Sequence, residues 1–317
     1  MKYYTAYPRD NQIIGLAPMD GVTDYPARQI QAKIAKPALM YTEFINVEGL
    51  TKKPQAQENR LKFDQEQQPL IVQLWGNNPE YFYQAAKIVA PLGFNGIDIN
   101  AGCPNPRVLK RGAGGSLIGK NDLIQEIVNG CKNAIKETKG NLPLSIKTRI
   151  IGEKEENCRW AEALADLDID LVCLHGRDLE QRLSGPVDWE RVNEGAQIIK
   201  GSGKLVLGNG GIKNRTQALE KCKQYNLDGV LIGQAAIGNP WVFSQNDTPT
   251  KKELFKTIAD HARKVEEFYG PRGFKSFYKH AVCYCRNFSG AKELRIKLLQ
   301  TKNWPQVENL LNSVALT

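Results

Sequence analysis

Between residues 13 and 233 the chain alternates short, β-branched apolar runs with longer stretches of mixed polarity. The runs are 13–17, 38–44, 69–74, 96–100, 143–148, 170–175, 204–208 and 228–233. Each is nearly continuous in its apolar character, the pattern of a strand buried on both faces of a parallel sheet. The stretches between them carry helical spacing, as in 81–90, 123–136 and 159–165. Eight strands in regular alternation with helices predict an α/β fold of the (β/α)8 TIM-barrel type. A doubly wound open sheet is the structural rival, but it rarely sustains eight such alternations.

After Phe243 the period changes. The polar, proline-containing segment 245–250 has no strand-like content and reads as a linker. Beyond it Leu254, Ile258, Val265 and Phe268 recur at helical spacing, then Phe274, Phe277, Tyr278, Ala281 and Phe288. Leu294, Leu298 and Leu299 follow, then Val307, Leu310, Leu311 and Val314. Breaks fall at Gly270-Pro271, Ser289-Gly290 and Trp304-Pro305. This predicts a small C-terminal α-helical bundle of about four helices, with residues 1–244 as the barrel and 250–317 as the bundle.

Composition narrows the class. The chain has 317 residues, 41% of them hydrophobic, with a mean hydropathy of −0.43, which suits a water-soluble protein with a sizeable core. No run approaches the roughly 20 apolar residues of a membrane span. Residues 1–8 lack the apolar centre of a signal peptide, so the expected compartment is the cytoplasm. Seven scattered cysteines without a C-x-x-C pair argue against a disulfide framework or a metal site, so no metal is expected. Charge is uneven: residues 249–317 hold 13 Lys/Arg against 6 Asp/Glu, whereas residues 1–248 hold 30 against 28. A basic tail suits either a nucleic-acid partner or a solvated lysine-rich surface.

Barrel enzymes carry their chemistry where strands run into the following loops. Strand one ends in Ala17-Pro18-Met19-Asp20-Gly21, strand three supplies Gln73, and strand four runs into Asn100-Ala101-Gly102-Cys103-Pro104. Strand five ends with Lys147 and Arg149, strand six with His175-Gly176-Arg177, strand seven with Asn209-Gly210-Gly211, and strand eight with Gly233-Gln234. Glycine loops after strands seven and eight let backbone N–H groups converge on a phosphate. Gln73, Lys147 and His175 suit the polar edge of an isoalloxazine ring, where a cation stabilises the reduced anion. Taken singly, Lys147 reads equally as a salt-bridge residue and His175 as a structural histidine. Cys103 lies on a loop at the expected active face, where a thiol can act as an acid. The other six cysteines read as inert apolar residues.

Those same segments carry a resemblance. A-P-M-D-G-V-T-D (17–24), Y-T-E-F (41–44), Q-L-W-G-N-N-P-E (73–80), D-I-N-A-G-C-P (98–104), H-G-R (175–177), N-G-G-I (209–212) and I-G-Q-A-A-I-G-N-P-W-V-F (232–243) resemble the tRNA-dihydrouridine synthases in order and spacing. K-H-A-V-C-Y-C (279–285) and G-A-K-E-L-R (290–295) are similar to the helical tail of the bacterial branch. The resemblance implies an FMN-binding barrel, NADPH as reductant, and reduction of uridine in tRNA to 5,6-dihydrouridine, with Cys103 as general acid. It places Pro18, Met19 and Asp20 beside the flavin, and Gln73, Lys147 and His175 on its ring system. Asn209, Gly210, Gly211, Gly233 and Gln234 fall at the phosphate, and Asn100 and Arg177 at the substrate. The tail becomes a tRNA-binding unit, and the protein is expected to be a monomer.

Two departures stand out. The family usually has arginine at the position of Gln234, so backbone N–H groups must carry more of the phosphate charge. The loop after Lys147 runs Thr148-Arg149-Ile150-Ile151-Gly152-Glu153, where the family often has arginine, glycine and tryptophan. Two other readings remain open: an FMN-dependent barrel oxidoreductase acting on a small molecule, and a non-catalytic RNA-binding relative.

Overall fold

The computed structural model describes residues 12–315 apart from 139, 183 and 287, so the N-terminal residues 1–8 read above lie outside the described part. Among the described residues eight strands pair in chain order, all parallel. They are β1 (Ile13–Leu16), β2 (Leu39–Asn46), β3 (Leu70–Trp75), β4 (Gly96–Ala101), β5 (Leu144–Arg149), β6 (Leu171–His175), β7 (Leu205–Asn209) and β8 (Gly229–Ile232). β8 returns to pair with β1 and closes a TIM barrel. The strands fall on the apolar runs of the sequence, with boundaries shifted by one or two residues.

Around the barrel lie α1 (Tyr25–Ile34), α2 (Val47–Lys52), α3 (Glu58–Leu61), α4 (Pro79–Val89) and α5 (Pro106–Leu109). α6 (Asn121–Glu137), α7 (Lys154–Asp166), α8 (Trp189–Gly201) and α9 (Arg215–Gln224) complete the ring. Their starts are written in the sequence. Asp24, Asn78, Asp188 and Asn214 each accept a hydrogen bond from a backbone N–H three residues on, capping α1, α4, α8 and α9.

Strand parity sorts the core into two. Outward-facing Ile14, Leu16, Val72, Leu74, Ile97, Ile99, Leu144, Ile146, Val172 and Leu174 pack against the helices. The alternate positions, Ile13, Leu39, Tyr41, Ile71, Leu171, Cys173, Leu207 and Leu231, form a separate apolar plug inside the barrel. The same inward parity continues towards the C-terminal mouth, but its residues change character: Ile71 is followed by Gln73, Cys173 by His175, Leu207 by Asn209. A polar layer thus rests on the plug.

The chain then runs into α10 (Lys251–Gly273), α11 (Tyr278–Tyr284), α12 (Ala291–Leu298) and α13 (Trp304–Ala315). Thr250 and Glu253 form a reciprocal capping box at the start of α10, and Gly270 (φ 68°) breaks that helix before Pro271. These helices share a core of their own, including Leu254, Phe255, Ile258, Val265, Phe274, Phe277, Leu294, Leu298, Val307 and Leu311. Two residues of the predicted apolar pattern lie elsewhere. Phe268 packs on Tyr25 of α1, ring centroids 4.8 Å apart, and Leu299 is 41% exposed. The contact with the barrel is polar as well as apolar: Lys33 pairs with Asp260 at 2.8 Å, and the Tyr269 hydroxyl donates to Asp24. Among the described residues no helix is long and apolar enough to cross a membrane.

Candidate active site

A cavity of about 840 Å³ opens at the C-terminal ends of the strands. Every candidate residue named from the sequence lines it: Pro18, Met19, Asp20, Gln73, Asn100, Cys103, Lys147, His175, Arg177, Asn209, Gly210, Gly211, Gly233 and Gln234. Their convergence follows from parity and closure, since each is an inward position at, or a loop just beyond, a strand end.

The floor is a directed chain of hydrogen bonds. Ser145 Oγ donates to Asp98 Oδ1 (2.5 Å) and Gln73 Nε2 donates to Asp98 Oδ2 (2.7 Å). Asn100 Nδ2 donates to Gln73 Oε1 (2.9 Å), and Asn100 Oδ1 accepts from the N–H groups of Gly102 and Cys103 (3.2 and 3.0 Å). An ionised carboxylate only accepts, so Asp98 dictates which way both amides face. It is fully buried, and burial pushes its carboxyl up to about 6 against the pull of Ser145, Gln73 and Lys147.

Arg149 holds the next tier. Its Nε donates to Gly102 O (2.7 Å), and its Nη1 reaches the carbonyls of Arg177, Asp178 and Arg182 (3.1, 3.0 and 2.8 Å). It ties the Cys103 loop to the loop after β6. Burial raises the Cys103 thiol above its ordinary 9.0, although the Asn105 N–H and the Arg149 charge oppose it. At neutral pH the group is a thiol and holds a proton.

Lys147 is partly open to the cavity, and among the described residues its ammonium has one hydrogen-bond partner, the neutral Asn209 Oδ1 at 2.9 Å. Asn209 Nδ2 in turn donates to Leu231 O (2.8 Å), which fixes that amide. Burial lowers the lysine from its ordinary value. Beside it, burial and the charges of Lys147, Arg149 and Arg177 push the His175 imidazole down to about 2, so it is neutral. Its Nδ1 is buried without a partner among the described residues. Lys147 and His175 both line the cavity, and a cation with no carboxylate partner among the described residues, beside a neutral imidazole, suits a planar group rich in carbonyl and N–H edges.

The glycine loops complete the set. Gly210 (φ 124°) and Gly211 (φ 70°) take a backbone form that other residues resist. Among the described residues the N–H groups of Gly210, Gly211, Gln234 and Ala235 donate to no carbonyl or side chain. A Cβ on Gly233 would meet only Ala17 and Met19, at 3.7 Å, so this strand end leaves a cradle. Lys213 and Arg286 also line the cavity, the latter coming from the connection between two helices that follow the barrel, Tyr278–Tyr284 and Ala291–Leu298. The donor set therefore fits a phosphate at one end and a flavin ring at the other.

Across the mouth, the loop after β1 carries Pro18, Met19 and Asp20. Glu43 Oε1 accepts from Gly21 N–H (2.6 Å), Arg60 bridges Asp20 (2.7 Å), and His280 of α11 meets Val22 O (3.1 Å).

A family model described as dihydrouridine synthase (Dus) matches residues 15–316. The chain belongs to the dihydrouridine synthase family. It is an enzyme, an oxidoreductase. Among relatives of this family, a probable tRNA-dihydrouridine synthase of Staphylococcus aureus (strain COL) is 32% identical over 94% of this chain and 91% of its own length. A probable tRNA-dihydrouridine synthase 2 of Bacillus subtilis (strain 168) is 31% identical over 94% and 92%. Among solved structures, morphinone reductase superposes with a TM-score of 0.53 at 15% identity, over 77% of this chain and 87% of that one. A variant of NCR from Zymomonas mobilis gives 0.51 at 17%, over 74% and 85%. At such identities the likeness concerns the barrel alone.

Sequence reasoning passed over part of this cavity. Asp98 and Ser145 received no role, although both sit on the inward parity of β4 and β5, which would have exposed them. Arg149 was noted at its strand end but not as a tie between loops. Arg286 reaches the cavity only through tertiary packing, for which the sequence holds no local signal. Of the cysteines read as inert, Cys131, Cys173, Cys222 and Cys285 are buried, whereas Cys158 and Cys283 are partly exposed.

Proposed function

We propose that this enzyme reduces uridine in tRNA to 5,6-dihydrouridine in the cytoplasm, with FMN as cofactor and NADPH as reductant. The observation that carries the reading is the convergence of a protonated thiol, a lone ammonium, a neutral imidazole and two amide-rich glycine loops in one cavity. The relatives named above supply the substrate class.

The N–H groups of Gly210, Gly211 and Gln234 would hold the phosphate, with Gly233 leaving room for it and Asn209 positioning Lys147. Gln73, Lys147 and His175 would meet the ring's polar edge, and Pro18, Met19 and Asp20 would run beside it. A flavin held by these residues would supply two-electron hydride chemistry between NADPH and C6 of the uracil. Cys103 gives its proton to C5 of the same double bond, which becomes a single bond, and the thiolate recovers a proton from water. The net change is uridine, NADPH and one proton to dihydrouridine and NADP⁺. Burial of Cys103 keeps that proton in place at neutral pH. Asn100, its oxygen spent on the Cys103 loop, keeps one Nδ2 hydrogen for a uracil carbonyl. Arg177, anchored by Gly185 O, turns its remaining donors to the substrate. A uridine in folded RNA must leave its stack to reach this depth, and the basic residues of 250–317 hold the flanking phosphates.

The test is an absorbance spectrum of the purified protein, then anaerobic NADPH, then dihydrouridine formation in tRNA by the parent and by Cys103→Ala. A flavin band that bleaches, with product formed by the parent and largely lost in the variant, supports the proposal. Protein that takes up no FMN, or a fully active variant, overturns the cofactor or the acid respectively.

A further inference from the structure

A second concavity, of about 350 Å³, lies beside the large cavity on the same face of the barrel. Its walls start from the last residues of adjacent strands: Asn46 ends β2, Trp75 ends β3, and the two are partners in register. Phe44 lines the large cavity and Trp75 the small one, and their rings meet edge to face with centroids 6.0 Å apart. One aromatic pair is therefore the partition between the two spaces.

Two features of the smaller space go beyond what packing needs. Rings are paired with cations: the Arg111 guanidinium lies 5.9 Å from the Trp75 centroid, and the Lys52 ammonium 5.3 Å from that of Tyr81. Such surfaces stack nucleobases while the cations meet the backbone phosphates. Glu48, the carboxylate in the wall, is neutralised by Lys52 at 2.7 Å.

The second feature is hydrogen-bonding capacity. Asn46 Oδ1 accepts from Gly49 N–H (2.7 Å) and Asn78 Oδ1 from Tyr81 N–H (3.1 Å), so each caps a helix with its oxygen. Among the described residues neither NH₂ group has an acceptor. Asn77 Nδ2 donates to Arg111 O (2.9 Å), and among the described residues Asn77 Oδ1 has no donor. The wall thus offers both donors and an acceptor, the complement of a base edge.

We infer that this pocket takes a second, unpaired nucleobase of the RNA, one flanking the uridine in the large cavity, stacked on Trp75 and covered by Arg111. The inference rests on the proposal that the substrate is RNA. Drawing one uridine out of its stack also unstacks a neighbour. A ring waiting for that neighbour offsets part of the cost.

The test uses short single-stranded RNAs with one uridine and 2-aminopurine on its 5′ or its 3′ side, titrated into the full-length protein. Quenching of the 2-aminopurine in one of the two is expected. Trp75→Ala should abolish that quenching and weaken binding on the order of 10-fold. Trp75→Phe should keep the affinity, and Arg111→Ala, at an exposed position, should weaken binding with its thermal melting unchanged. Quenching and affinity unaltered in both Trp75→Ala and Arg111→Ala overturn the pocket while leaving the RNA reading intact. A parent protein that binds neither RNA, and does not act on tRNA, overturns the substrate reading and this inference with it.

Discussion

Replacing Asp98 by asparagine should make the protein more stable and the enzyme worse. The carboxyl is fully buried and is pushed from its ordinary 3.8 to about 6. Two units at about 1.4 kcal/mol each put the cost of keeping it ionised at roughly 3 kcal/mol. The folded state binds this proton more tightly than the unfolded chain. The residue's contribution to stability is therefore best below about pH 4, declines as pH rises to about 6, and stays low above that. Asparagine carries no charge to bury. Asp98→Asn should gain up to about 3 kcal/mol over the parent at roughly pH 8, and the gain should vanish near pH 4. Activity should move the other way. The carboxylate accepts from both Ser145 and Gln73 and so points Gln73 Oε1 at Asn100, which holds the Cys103 N–H. An amide at 98 lets Gln73 turn over and breaks that chain. Misplacement of the acid then lowers kcat on the order of 100-fold. Urea unfolding of both proteins across this pH range, with kcat for dihydrouridine formation, checks both halves. A variant no more stable than the parent at high pH, or one equally active, refutes the reasoning.

Other outcomes follow from the same geometry. Cys103→Ala should lose uridine reduction by about 10²–10⁴-fold, and the parent's rate should fall on the alkaline side only above the ordinary thiol value of 9.0, because burial raises this group. A pH–rate profile at saturating substrate reads that limb; an acid limb near 6 belongs to Asp98 and should disappear in Asp98→Asn, whereas His175, which stays neutral, adds none. Arg149→Met keeps the aliphatic stem but abandons four carbonyls, so unfolding by urea should show a loss of about 2–4 kcal/mol, with Arg149→Lys restoring only part of it. Gln234→Arg adds a cation beside free N–H groups and should tighten FMN binding on the order of 10-fold, measured by quenching of flavin fluorescence. No change would mean that Lys213 or Arg286 already neutralises the phosphate.

The barrel was legible because buried parallel strands read as unbroken apolar runs, and their alternation with helical periods leaves few architectures open. The candidate residues were legible for a related reason: Gln73, Lys147, His175 and Asn209 interrupt those runs at the end where barrels place chemistry. What stayed hidden was contact at long range. Asp98 looks like an ordinary polar residue in β4 until Ser145 and Gln73 are seen on either side of it. The Arg149 bonds go to backbone carbonyls, which carry no sequence signal at all. Phe268 kept the helical period of the bundle and still turned to α1, because one face of α10 serves two neighbours.

The inward and outward sets of β3, β4 and β5 alternate one residue at a time, so the site behaves like a text with a reading frame. Removing a single residue from the middle of β5 would exchange Lys147 for an isoleucine or a threonine at the mouth, and would press a lysine among the surrounding helices. Losses and gains of length inside these strands are thus frameshifts for the chemistry. The same change in a connecting loop leaves the frame intact. Variation in length among functional versions of this chain is expected to accumulate in the loops, while the strands keep their count.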